Sequence, residues 1–153
     1  MARKGAFACP TLVTLEASIK LGKQLGMLEE NFRKIDDVRL HAYTALERLS
    51  RAGVKTAFGT DLTAAELHPY QADEFIYRKQ VLSNRAMIDS ATSVAADLMN
   101  MVGSIGVIAP GAHADIIGLT ADPLKDIEVL TRAQDMPLIM KAGQFVRQPK
   151  VAA

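Results

Sequence analysis

A carboxylate just past a short apolar run is the residue of this chain best placed to do chemistry. Val54-Lys55-Thr56-Ala57-Phe58 reads as a strand, Gly59 and Thr60 end it, and Asp61 follows directly. In a parallel sheet covered by helices, the carboxyl ends of the strands form the edge where ligands bind. An aspartate on that edge can ligate a metal ion or take a proton from a bound water. It can equally cap a turn or the next helix, and spacing alone leaves both readings open. His68 lies in the loop beyond, with Gln71 and Glu74 close behind. A loop histidine is either a ligand or a surface or capping residue, and the three side chains share a helix face only if the helix begins early.

The remaining candidates read as structural. His41 falls inside a long helical pattern as a solvated or partly packed side chain, and His113 falls in a Pro-Gly turn. Met87, Met99 and Met101 stand at helical spacing and read as core filler rather than as metal ligands. Cys9 has no second cysteine for a disulfide or a metal knuckle and reads as a small apolar residue. Arg33-Lys34 and Asp36-Asp37 read as a solvated helix face. The chain holds no Gly-rich phosphate loop, no His-x-His pair and no nucleophile elbow.

The elements that must position Asp61 follow from periodicity. Ala6-Phe7-Ala8-Cys9-Pro10 reads as a parallel strand ended by proline. Thr14 and Glu16 open a helical stretch through Leu15, Ile19, Leu21 and Leu25 that Gly26 can close. Asn31 is the expected N-cap of a long amphipathic helix with Ile35, Val38, Ala42, Ala45, Leu46 and Leu49 on its apolar face and Gly53 at its C-cap. After Asp61, a helix is expected from Tyr70 to Val81, a second capped by Ser83, and a third from Thr92 or Ser93 through Met101. Helix followed by short apolar strand, twice over, is the rhythm of an α/β fold. Beyond Gly103 the pattern becomes all-β. Ile105–Ile108, Ala114–Leu119 and Ile127–Leu130 are strand candidates, and 138–141 and 144–147 flank Ala142-Gly143 as a hairpin. The one expected boundary lies near residues 101–104.

Composition bounds the function. With 153 residues, 49% hydrophobic and 23% charged, the chain suits one ordinary globular domain and excludes a disordered or disulfide-dense scaffold. A net charge of +1 argues against nucleic acid as a partner. No apolar stretch approaches the ~20 residues of a membrane span. Met1 to Phe7 has two basic residues without an apolar region behind them, so it is not a signal peptide. The default expectation is cytoplasmic, and any export signal would lie upstream of Met1.

From Ala57-Phe58-Gly59-Thr60-Asp61 the chain resembles the metal-dependent amidohydrolase superfamily, in particular the imidazolonepropionase-related and prolidase-like branch of Xaa-Pro and Xaa-Arg dipeptidases. Pro10-Thr11-Leu12 is similar to the segment at the seventh barrel strand. Ala52-Gly53-Val54-Lys55 and Phe58-Gly59-Thr60-Asp61 are similar to the eighth. His68, Gln71, Glu74 and Phe75 resemble the loop and helix that follow, and 91–96 the next helix. Gly106 to Asp115, with Ala112 or His113 where the family often carries lysine, resembles the entry to a small β-domain; Asp122-Pro123-Leu124 and Met140-Lys141-Ala142-Gly143 complete the pattern.

The resemblance implies an α/β fold: the last two βα units of a TIM barrel over residues 1–103, and the C-terminal part of a β-sandwich domain over 104–153. It implies hydrolysis of an amide, dipeptide-like or N-acyl amino-acid bond by metal-activated water, with Asp61 as metal ligand and proton shuttle and His68 and Gln71 against substrate. The family's ion, zinc first among the divalent candidates, is held by a His-x-His, a bridging carboxylated lysine or glutamate, two further histidines and this aspartate. Only Asp61 is present here, so the chain by itself is expected to be inactive and to bind no ion stably. The alternative is a non-catalytic relic or an assembly module. A homo-oligomer or a complementing N-terminal half are the partners left open.

Overall fold

Proline decides how far the strand pair extends. In a computed structural model, which describes residues 1–24 and 26–148, Ala8 and Thr56 form a single parallel bridge. Ala8 N–H donates to Lys55 O at 3.0 Å, and Ala57 N–H donates to Ala8 O at 2.9 Å. The next rung would run from the N–H of residue 10 to Ala57 O, and Pro10 has no N–H to give. The expected strands at 6–10 and 54–58 are therefore extended segments meeting at one bridge.

Between them run two helices, α1 (Leu12–Leu21) and α2 (Glu29–Arg51). α1 buries Leu12, Val13 and Ala17 and packs against α2. It ends at Gly22 rather than Gly26, and Leu25 lies outside the described residues. α2 starts two residues before the expected cap: Leu28 is its N-cap, and Asn31 sits in its first turn. Its C-terminus follows expectation. Gly53, at φ 65°, donates to Ser50 O while Val54 N–H donates to Leu49 O, which is the paired closure of a Schellman motif. On its apolar face Leu46 is fully buried, whereas Val38 is 55% exposed.

Downstream of Asp61 the chain makes a 3-10 turn over Ala65–Tyr70 and a short helix, α3 (Asp73–Arg78). The single helix expected over 70–81 is thus confined to Asp73–Arg78 and flanked by turns. α3 packs against α1 and buries Glu74, Phe75 and Arg78. These elements belong to one compact unit, Met1–Ser83.

A second compact unit begins at Asn84. α4 (Asn84–Ala91) starts directly after Ser83, and α5 (Ser93–Leu98) follows Thr92. Met87 is buried on α4, but Met99 is 59% exposed beyond the end of α5 and fills no core. Three short strands, β1 (Ile116–Gly118), β2 (Leu138–Lys141) and β3 (Gln144–Arg147), form an antiparallel sheet in that order. Ala142 and Gly143, at φ 49° and 80°, make the two-residue turn between β2 and β3.

Two expected strands are absent. Residues 105–108 make one isolated bridge, Val102 to Ile105, and Ile127–Leu130 is a 3-10 turn. There the Asp126 carboxylate accepts from Glu128 N–H at 3.0 Å, closing a local turn that competes with extension. The buried Ile127 and Val129 give this turn the alternation of a strand. Among the described residues, no helix is long and apolar enough to cross a membrane.

Candidate functional site

Asp61 leaves the second extended segment in a left-handed conformation, φ 50°, which aspartate tolerates better than most side chains. It is exposed. Among the described residues its carboxylate makes no hydrogen bond and no ion pair, so it caps neither a turn nor the helix beyond. Ala64, not Asp61, is the N-cap of the following 3-10 turn. Asp61 instead lines a groove of about 440 Å³ whose other walls include Cys9, Pro10 and Thr11 from the first segment and Ala42 and Leu46 from α2. A carboxylate free of protein partners at an apolar cleft can accept a proton from water or offer oxygens to a cation.

Close approach of the two segments is built into Gly59. A Cβ there would lie 2.4 Å from the Cys9 sulfur, so any larger residue at 59 would require the exposed Cys9 side chain to turn away.

His68 and Gln71 are both exposed, in and just after the 3-10 turn, and neither lines the groove that holds Asp61. Glu74 parts company with them: its side chain is fully buried. The Glu74 carboxylate accepts from Arg78 Nε at 2.6 Å and from Val13 N–H at 2.7 Å. Burial pushes its carboxyl above the usual range, and the adjacent guanidinium and backbone N–H groups pull it back. Arg78, which sequence reading passed over, is also fully buried and reaches Ala57 O and Pro10 O. The (i, i+4) spacing of Glu74 and Arg78 was visible, but that spacing describes solvated helix pairs equally well.

Among the described residues, no three His, Cys, Asp or Glu side chains are placed to hold one metal ion. A structural or catalytic zinc takes at least three protein ligands, so the donor set among the described residues does not by itself fit the ion expected from the family. His41 bonds to Asp37 O on the exposed face of α2, and His113 is exposed in its turn.

Asp61 thus follows an extended segment that pairs through one parallel bridge, and comparison supplies the family. The chain matches the amidohydrolase family over residues 2–146 and belongs to it. It is similar to a crystal structure of an amidohydrolase, with 39% identity and a TM-score of 0.92, covering 98% of this chain and 36% of that one. It is also similar to a prolidase solved with N-methylphosphonate-L-proline, with 41% identity and a TM-score of 0.91, covering 97% of this chain and 36% of that one. The ochratoxinase of Aspergillus niger is 25% identical over 99% of this chain and 31% of its own length. The chain thus spans about a third of the relatives it matches.

Proposed function

We propose that these residues form the C-terminal part of an enzyme that hydrolyses a C–N bond in an amide, dipeptide-like or N-acyl amino-acid substrate. Residues 1–103 are read as the last two βα units of its barrel, and 104–153 as part of its β-domain. The observation that carries the reading is Asp61: a carboxylate without partners among the described residues, at the end of a parallel segment, on the wall of an apolar groove. Its role is to take a proton from the attacking water and pass it to the leaving amine. His68 and Gln71 contact substrate or order the loop. The similarity to a prolidase solved with a proline phosphonate favours a dipeptide-like substrate.

The divalent ion that such an enzyme uses would be held by Asp61 together with further ligands that the described residues do not supply. The chain alone is accordingly inactive. The test is an assay of the purified 153-residue chain against Xaa-Pro dipeptides and N-acyl amino acids, with and without added zinc. No turnover is expected. Addition of an N-terminal portion of a prolidase-like amidohydrolase, carrying His-x-His, should restore turnover that Asp61→Asn removes. Metal-dependent turnover by the chain alone, lost in Asp61→Asn, would overturn the inactivity.

The exposed apolar residues of α2, Val38 at 55% and Leu40 at 58%, favour a second reading, an assembly module with Asp61 a relic. Sedimentation separates the two: a module gives one defined oligomer, whereas a bare fragment aggregates.

A further inference from the structure

The Glu74–Arg78 pair reaches well beyond its own helix. Where Pro10 cannot donate to Ala57 O, Arg78 does so instead: its Nη2 donates to Ala57 O at 3.0 Å and also to Pro10 O. Its Nε donates to Glu74, and its guanidinium lies 5.1 Å from the centre of the Phe58 ring. Phe58 in turn stacks on Phe75 with ring centres 4.4 Å apart. Glu74 balances the charge, and its second oxygen accepts from Val13 N–H at the start of α1. One planar cation thus joins the two extended segments at the point where their backbone ladder fails. Only Gly59 and Thr60 separate Phe58 from Asp61. Pro10 and Asp61 line the same groove, while Glu74 and Arg78 do not.

We propose that Glu74 and Arg78 are positioning residues for Asp61: by clamping the carbonyls of Pro10 and Ala57, the pair fixes the segment end from which Asp61 departs and holds it on the groove wall. The proposal rests on the reading of Asp61 as the working carboxylate. Arginine suits the task because its planar fork presents several donors at fixed angles. A lysine ammonium keeps the charge but cannot reach Glu74 and both carbonyls in that plane.

NMR of the isotope-labelled full chain tests this, with the Asp61 amide and side-chain carboxyl as reporters. Arg78→Lys should unfold cooperatively yet shift both reporters, as should the double variant Glu74→Gln/Arg78→Met, in which no buried charge is left unpaired. Unchanged Asp61 signals in a folded form of either variant overturn the proposal. The unsubstituted chain offers an independent test. The Arg78 Nε–H should exchange at least about 100-fold more slowly than that of the exposed Arg51, and in low urea its protection should vanish together with the Asp61 signature. Averaging of Asp61 while Arg78 stays protected also overturns the proposal. None of these readouts needs turnover: a complemented chain that stays silent towards amides overturns the proposed function, whereas unmoved Asp61 signals overturn the positioning role.

Discussion

Gly59 and Tyr43 show how single side chains set the limits of the first unit. A methyl group at Gly59 meets the Cys9 sulfur well inside contact distance. The sulfur ends an exposed side chain, so Gly59→Ala is expected to cost only about 1 kcal/mol in urea unfolding, the scale of a displaced rotamer. Cys9→Ala should relieve most of that loss in the double variant; an undiminished loss would place the strain in the backbone instead. Tyr43 joins α2 to α1 by donating to Glu16 at 2.7 Å, where Arg39 also binds. Burial, then this bond to Glu16, raises the Tyr43 phenol well above its ordinary value of 10.0. The unfolded chain ionises this tyrosine first, so its stabilising effect is complete below pH 10 and is lost as pH rises further. Melting at about pH 8 and about pH 11, either side of the free phenol's pKa, should show a drop that is smaller in Tyr43→Phe. Tyr77, raised by burial as well, accounts for a remaining slope.

At the scale of elements, α2 and the β2–β3 hairpin invite opposite experiments. Leu46 is fully buried on α2, and Leu46→Ala is expected to cost ~2–5 kcal/mol by removing packed methyl groups and leaving a cavity. The hairpin turn carries Ala142 at φ 49°, a conformation that costs an alanine roughly 1–2 kcal/mol. Ala142→Gly should therefore stabilise the second unit by up to about 1 kcal/mol, read as a higher urea midpoint. The turn is also tied down from β1's side: Asp115 accepts from Ala142 N–H at 2.6 Å, and Gly143 N–H donates to Ala114 O at 3.0 Å. The bond from Ala142 holds the Asp115 carboxyl below its ordinary range. Two motifs, Ala114-Asp115 and Ala142-Gly143, thus meet across the sheet. The alternating burial of Ile127 and Val129 is the counterexample: a period of two misread as a strand because Asp126 closes a turn that periodicity cannot see.

For the whole molecule, the sharpest expectation follows from the described residues, which bring no three metal donors together. Metal analysis of the purified chain should find no stoichiometric zinc, and a chelator should leave its melting temperature unchanged; a shift of several degrees would mean that residues elsewhere complete a site. The amidohydrolase kinship and the placement of Asp61 beyond a strand-like segment were legible in the sequence, because motif order and apolar runs are local properties. So were the Gly53 closure of α2 and the Ala142-Gly143 turn, since each depends on a few neighbouring dihedrals. What only the tertiary structure decided depends on residues far apart in the chain. The choice between turn cap and free carboxylate for Asp61 required knowing that no backbone N–H among the described residues reaches it. The burial of Glu74 apart from His68 and Gln71 required α3 to pack on α1. The substitution of Arg78 for a backbone rung joins residues 68 and 21 positions apart, and no local pattern encodes a hydrogen bond that a distant proline leaves unmade.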